Sequence, residues 1–585
     1  MTTVTHPPSS EPVAETGTSR RSFLKWTGAA GAAIGIGGAT EAWSQAPGAV
    51  APTLATNGGP ITLTAQQRAS RFVAQATFGG DLAMINQVNN MGLESWLDAQ
   101  MALAHTPILE DHSAFVAQFG EEDIANYFDW AWWNRAMLAP DVVRQRVAFS
   151  LSQIFVVSRR LDLLYDLGDA IASYHDIFLR NAFGNFRDIL FDVTMHPVMG
   201  FYLSHLNNRR SDASINRFPD ENYAREVMQL FSIGLVELNP DGTPVLAPEA
   251  VPTYTNAEIT EFAKIFTGLT LSPYDPDDPV IFGTDEGDWL EPMVMVEAEH
   301  EPGPKNLLNG FVVPGGQTGM QDINMAIDNL FNHPNVGPFI GRLMIQRLVT
   351  SNPSPAYVGR VAAAFADNGF GVRGDMKALW KAILLDPEAR DTNNIGDPNF
   401  GKVREPFTKW VHVGRAFHAT SNSGQFRHFG GAEPGDDDVE NDNVALAQYP
   451  YFAPSVFNFY LPDHSPAGPL TTAGLVAPEM EIVHAFTSIA TINLMNRAVI
   501  FEHYIYDAPA DEDVRLNLAT EEAIAQTGPS ALVDHLDLLL TYGTLSASSR
   551  QIILDAITPL AADPYDQVIM ALYLFLISPE YAVQR

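Results

Sequence analysis

Apolar residues recur at helical spacing along most of the chain, beginning near Thr64. Asp81 is placed as an N-cap for a helix over 82–91, and Gly92 as its stop, before a second helix over 93–101 that carries Trp96. From 124 to 158 the helical pattern is crowded with aromatics (Tyr127, Phe128, Trp130, Trp132, Trp133), and Pro140 marks a fresh helix start inside it. Further helices are predicted at 170–183 and 186–195, from Pro219 to Gly234, and over 254–269 with Thr255 or Asn256 as cap. Residues 271–320 lack periodicity and leave room for short strands. Helical spacing returns at 322–331, 337–349, 356–367, 375–385 and 405–419, and again at 478–498, 530–542, 546–557 and 565–577.

The predicted fold is therefore mainly α: a large multi-helix assembly with long irregular loops and at most a few short strands. Gly184-Asn185-Phe186-Arg187 precedes Pro197 at the spacing by which Gly374-Asp375-Met376-Lys377 precedes Pro387. That echo reads either as duplication of a helical unit or as two helices stopped by the same proline chemistry. The expected organisation is a signal peptide over 1–46, a linker over 47–62, and a helical core over 63–419. An acidic loop over 420–443 follows, then an aromatic loop and helices over 444–585, packed on the core.

Ser19-Arg20-Arg21-Ser22-Phe23-Leu24-Lys25 has the form of a twin-arginine export signal. A Gly/Ala-rich stretch follows from Gly28 to Ala39, and Ser44-Gln45-Ala46 offers a cleavage site after Ala46. The expected location is periplasmic or extracellular, and the first partner is the twin-arginine translocase. No segment reads as a transmembrane span.

Charge and cysteine content narrow the chemistry. There are 34 Lys and Arg against 69 Asp and Glu, a formal charge of −35, and the leader's own charges cancel. Such a surface opposes nucleic acid and anionic lipid, and it favours either plain solubility or cationic partners. With no cysteine there is no disulfide, zinc–thiolate site or iron–sulfur cluster. Nucleotide and haem motifs are also missing, as are the Gly-x-Ser-x-Gly elbow and the His-Glu-x-x-His helix.

Two stretches carry candidate chemistry. On a helix over 220–229, Glu221, Arg225 and Gln229 share one face, Asn222 and Glu226 form an adjacent stripe, and Asp220 stands at the start. This box reads either as carboxylates and a guanidinium presented to a cleft or as a structural ion-pair ladder. The second stretch is His300 with Glu299, Glu301 and Lys305 in a Gly/Pro loop, where His300 is either a proton shuttle or a hydrogen-bonded structural residue. Asp285, Glu286, Asp288, Glu299 and His300 have the ligand types of a divalent-metal site but no motif spacing, and 436–442 fails the EF-hand pattern. Lys402 and Glu405 read as a pair beside the cleft or as an ordinary helix start. His175, His196 and His205 read as core or rim histidines. Tyr449 to Tyr460 reads as a sugar-stacking surface or, preferably, a loop anchored in the core.

Several motifs together resemble the bacterial domain-of-unknown-function 1800 family. They include Arg71-Phe72-x-x-x-Ala76-Thr77-Phe78-Gly79, Gly92-Leu93-x-x-Trp96-Leu97, and the box Asn222-Tyr223-Ala224-Arg225-Glu226. Phe266-Thr267-Gly268, His300-x-x-Gly303-x-Lys305, Lys402 to Pro406, Pro454 to Tyr460 and Ser578-Pro579-Glu580-Tyr581 complete the set. Asp220 departs from the asparagine common in relatives. The resemblance implies a helical fold and export but no established activity. It also implies a partner, a co-exported protein resembling sulfatases and alkaline phosphatases. Two functions are carried forward. One is an envelope enzyme acting on a glycan or other extracellular polymer by acid/base chemistry through Glu221, Arg225, Glu226, His300 and Lys305. In it Asp220, Asn222, Gln229 and Lys402 bind, with a divalent metal as a conceivable cofactor. The other is a non-catalytic helical scaffold or binding partner of the phosphatase-like protein.

Overall fold

A computed structural model describes residues 61–585 apart from 122–123, 274–281, 285, 428–445 and 501–512. The chain divides into two units, Met1–Thr56, which lies outside the described residues, and Asn57–Arg585. The second unit is built from helices joined by long loops. Among the described residues its only sheets are four antiparallel pairs of two-residue strands: Leu269–Thr270 with Val294–Met295, Lys305–Asn306 with Val312–Val313, Lys402–Val403 with Val583–Gln584, and Thr420–Ser421 with Val514–Arg515.

Helix starts follow their capping chemistry. Thr64 and Gln67 form a reciprocal capping box on the Ala65–Ala76 helix, Asp81 accepts from the Met84 amide at 2.8 Å, and Thr255 with Glu258 and Thr318 with Gln321 repeat the box. Stops are less regular. The aromatic stretch restarts just after Pro140, as Ile124–Leu138 and then Val142–Ser152, but ends at Ser152 rather than at Ser158. Beyond Ser152 the backbone turns to meet another segment, the Arg159 amide donating to the Tyr451 carbonyl at 2.7 Å. The helix expected to reach Gly234 ends at Gln229; the Ile233 and Gly234 amides then both close on the Met228 carbonyl at 3.0 Å. Gly234 takes φ +73°, and a Cβ there would lie 2.8 Å from the Phe339 ring. The span 478–498 holds a 3₁₀ turn, Pro478–Glu481, before the Ala485–Ile500 helix. The helices Ile108–Phe119 and Ala519–Ala525 are additional to those the apolar spacing marked.

The two echoing segments meet. The Phe186 amide donates to the Gly374 carbonyl at 2.9 Å and the Met376 amide to the Gly184 carbonyl at 3.0 Å, a reciprocal antiparallel bridge between the two helix starts. Asn185 and Asp375 cap the helices Phe186–Met195 and Met376–Leu384 at that bridge. The two segments thus form a local pair with reciprocal hydrogen bonds.

An aromatic cluster locks the body around Phe407. Its ring lies 4.8 Å from Trp132, 4.9 Å from Trp133 and 5.2 Å from Phe149, and all four are buried. Phe407 opens the Pro406–Ala416 helix, so this packing also fixes where the preceding residue, Glu405, points. Phe407→Ala is expected to cost about 3–5 kcal/mol of stability. Phe370→Ala, at a side chain 89% exposed, should change it by less than about 0.5 kcal/mol. Denaturant unfolding of the two variants checks the contrast.

Candidate functional site

The Asn222–Gln229 helix divides the polar box between water and the interior. Glu221 and Arg225 form an i,i+4 pair at 3.6 Å, each side chain about two-fifths exposed, and Glu221 also accepts from Thr260 at 2.8 Å. Asp220 and Asn222 are exposed; the Asp220 carboxylate accepts from the Asn222 amide at 2.8 Å and so helps begin the helix. Gln229 is half-buried. Tyr223 turns inward, stacked on His205 at 3.9 Å and sharing a hydrogen bond with Thr194 at 2.7 Å. Glu226 also turns inward. It is 6% exposed, and among the described residues its Oε2 has no hydrogen-bond partner. Burial pushes its carboxyl above the usual range, with Arg225 opposing. Tyr202 and Tyr254 stand in its field: burial first, then the Glu226 charge, push both hydroxyls up to about 12.

His300 and Lys305 are brought together, and a third group, Asp322, joins them from the Gly319–Phe331 helix. All three are buried. The Lys305 ammonium donates to the Asp322 carboxylate and the Glu301 carbonyl and lies 3.2 Å from His300 Nε2. His300 Nδ1 lies 2.9 Å from the Thr267 carbonyl, and the Thr267 hydroxyl spends its proton on the Lys264 carbonyl. His300 Nε2 lies 3.0 Å from the Asp322 carboxylate and 3.2 Å from the Lys305 ammonium, so both ring nitrogens face an acceptor oxygen. The ammonium and both ring nitrogens thus have partners inside the protein. Burial pushes the Asp322 carboxyl up, but the bonds from His300, Lys305 and Gln317, with the Lys305 charge, outweigh it and hold it below the usual range. The flanking carboxylates are engaged as well, Glu299 with Arg209 at 2.9 Å and Glu301 with the Ser211 hydroxyl at 2.8 Å.

Of the metal-type residues, Asp285 lies outside the described residues, as does 436–442 of the acidic loop. Asp288 accepts from the Leu290 amide at 2.8 Å. Among the described residues no three His, Cys, Asp or Glu side chains converge to hold a metal. His175, His196 and His205 are buried, and burial lowers them to about 3, about 3 and about 4, so they are neutral at ordinary pH.

The densest buried polar centre forms around Lys402. Its ammonium lies 2.9 Å from Glu479 and 3.8 Å from Glu405 and donates to the Arg347 carbonyl at 2.9 Å. Glu405 Oε2 accepts from Gln153 at 2.7 Å and Gln448 at 2.5 Å. Burial raises both carboxyls, but for Glu405 the charges of Lys402, Arg146 and Arg347 win and leave it lowered. Glu479, facing the Glu405 charge, stays raised despite Lys402. Two neighbouring carboxyls are thus driven apart, one toward the ionised and one toward the protonated form. Beside them a cavity of about 20 Å³ is lined by Gln153 and Asn458 among others. Gln153 Oε1 and Asn458 Nδ2 have no protein partner, and the cavity has room for about one bridging water. Its wall includes Tyr451 and Asn458 at φ +58° and +67°, in the aromatic loop, where side chains rarely tolerate that backbone.

Only Lys402 and Glu405 of this centre stand out in the sequence. Glu479 hides in a proline turn, and Arg146, Gln153 and Arg347 sit in or beside stretches read for their apolar spacing. The available signal was Arg144-Gln145-Arg146 within an otherwise apolar helix, Val142–Ser152, whose residues are nearly all buried.

Fold and sites together describe an exported, mainly helical protein with charged groups packed inside it. A family model described as protein of unknown function, DUF1800, matches residues 71–583, and the chain belongs to that family. A twin-arginine translocation signal sequence matches residues 17–37 and implies export across the cytoplasmic membrane. Among the described residues no helix is long and apolar enough to cross a membrane. No curated protein and no solved structure matches the chain.

Two outcomes follow from these geometries. Because burial raises the proton affinity of Glu226 in the folded state, the associated stability is present below the ordinary carboxylate value and lost as pH rises through the raised one. Glu226→Gln should therefore lose less stability than wild type as pH rises above the ordinary carboxylate value in urea titrations. Asp322→Asn, which leaves Lys305 buried without its anion, should cost about 3–5 kcal/mol, whereas Asp322→Leu with Lys305→Met should cost clearly less.

Proposed function

We propose that the chain is an exported non-catalytic helical protein that binds a partner through the face around its Asn222–Gln229 helix. The observation that carries the reading is the division of labour between interior and surface. The groups best suited to proton transfer, His300 and Lys305, have filled their hydrogen bonds with Thr267, Glu301 and Asp322 away from water. The segments on either side of the box, by contrast, expose large apolar side chains: Ile215 and Phe218 before it, Leu235 and Leu246 after it, each 56% exposed or more. Large apolar side chains left exposed in the segments that flank a charged pair are what a protein interface uses. The partner that the family resemblance implies is the co-exported sulfatase- or phosphatase-like protein, met in the periplasm or outside the cell.

A second reading keeps an enzyme acting on a glycan or other extracellular polymer. Glu226 favours it: a buried carboxyl with a raised proton affinity, an unpartnered oxygen and a half-exposed Arg225 beside it is suited to general acid catalysis. In that scheme Asp220, Asn222 and Gln229 contact the substrate, whereas Lys402, expected to bind it too, is buried with Glu479 and Glu405.

Affinity purification from the native host separates the two. On the binding reading, Phe218→Ser with Leu246→Ser loses the co-purifying phosphatase-like protein, while Glu226→Gln retains it and complements a deletion. On the enzyme reading, Glu226→Gln fails to complement and abolishes turnover in a pooled glycan screen, and the surface pair is silent.

A further inference from the structure

The interior beside Lys402 holds more positive than negative charge. Arg146, Arg347, Lys402 and Arg404 are each at least nine-tenths buried, and the acids nearby are Glu405 and Glu479. Among the described residues neither Arg146 nor Arg404 makes an ion pair. Arg146 donates to Ser150 and to the Arg347 carbonyl, both at 2.7 Å, and packs its guanidinium 5.7 Å from the Phe78 ring. Arg404 donates to His412 at 3.0 Å and the Leu540 carbonyl at 3.1 Å, and its Nε has no partner. Further cations crowd the same region: burial and then Arg404 lower Lys409 to about 8, and burial lowers Arg415 to about 10. Burial, with Arg404 and Arg415 behind it, keeps His412 neutral. Glu405 and Glu479 offset Lys402 directly and Arg146 at longer range, whereas among the described residues Arg404 has no acid opposite it; a buried cation without counter-charge costs several kcal/mol.

Arg146, Lys402 and Arg404 line one cavity of about 20 Å³, together with Thr77, Thr408 and His412, and no acidic side chain is among its lining residues. The wall is tight at Gly79, where φ is +97° and a Cβ would fall 2.1 Å from the His412 ring. A cavity of this size takes about one water-sized particle, which excludes phosphate, sulfate and carboxylates. Water fits but brings no charge. A monatomic anion meets both the volume and the electrostatics.

We propose that this cavity is a buried halide site, holding one chloride-sized anion among Arg146, Lys402 and Arg404. The site joins segments distant in sequence: the turn after the Ala65–Ala76 helix, the Val142–Ser152 helix, and the strand pair of Lys402–Val403 with Val583–Gln584. Bound halide therefore stabilises the whole body without touching the Asn222–Gln229 face, so the proposal is independent of the binding reading above.

The test is thermal unfolding of the full exported chain at fixed ionic strength, with chloride exchanged for gluconate, and diffraction from crystals grown in bromide. Chloride should raise Tm by roughly 2–4 °C between 1 and 100 mM and saturate, with bromide equivalent and gluconate inert. Anomalous density should appear between Arg146, Lys402 and Arg404, and Arg404→Met should abolish the chloride response. If that variant fails to fold, the bromide density in the wild-type protein decides. Equal melting in chloride and gluconate, bromide density only at the surface, or a response unchanged in Arg404→Met overturns the site.

Discussion

Keeping charge inside an α-helical body is the constraint on which this structure turns. The chain has twice as many acidic as basic side chains, yet among the described residues the buried ones number nine of each. Burying a charge costs several kcal/mol unless a partner of opposite sign and enough hydrogen bonds meet it. The helices are accordingly arranged so that Arg159 meets Asp129 at 2.7 Å, Lys305 meets Asp322, and Lys402 meets Glu479 and Glu405. The unmatched acids go to the surface, where water screens them and they serve solubility.

These pairs also explain how loops with little regular structure are held. The Gly/Pro loop around His300 has two short strands and two 3₁₀ turns, and its ammonium is the tie to the Gly319–Phe331 helix. The aromatic loop over 449–460 is fastened by Gln448 to Glu405, by Tyr451 to His175 at 2.8 Å, and by Arg347 over the Tyr460 ring at 4.4 Å. In the His300 loop, Lys305, a catalytic candidate in a linear reading, also fastens the loop to Asp322. Reactivity requires an unfilled valence that a substrate can reach. Of the box and loop candidates, Glu226 retains an unpartnered oxygen, and Glu221 and Arg225 retain contact with water.

The reciprocal bridge between Gly184-Asn185-Phe186 and Gly374-Asp375-Met376 gives the weak sequence echo a physical meaning. Each helix start offers one backbone amide and one carbonyl to the other, so the two close a reciprocal bridge. Periodicity and capping residues made the helix starts legible, because the side-chain bond that begins a helix lies within three residues. Helix ends and breaks were less legible. Ser152, Gln229 and Leu536 end helices where distant segments take the backbone bonds or where a wide turn closes, as in the π turn Asp537–Thr541.

From sequence alone came the export signal, the helical class, the family, and the residue types able to carry charge. Each rests on local order: a motif, a 3.6-residue period, a cap. Only the tertiary structure decided which charged groups face water and which face one another. Glu226 and Arg225 are neighbours in the chain, yet one is sealed and the other half-exposed, because a helix turns 100° per residue and packing chooses its buried side. Lys402 and Glu479 are 77 positions apart, and nothing between them announces that the proline turn at Pro478 delivers a carboxylate 2.9 Å from that ammonium.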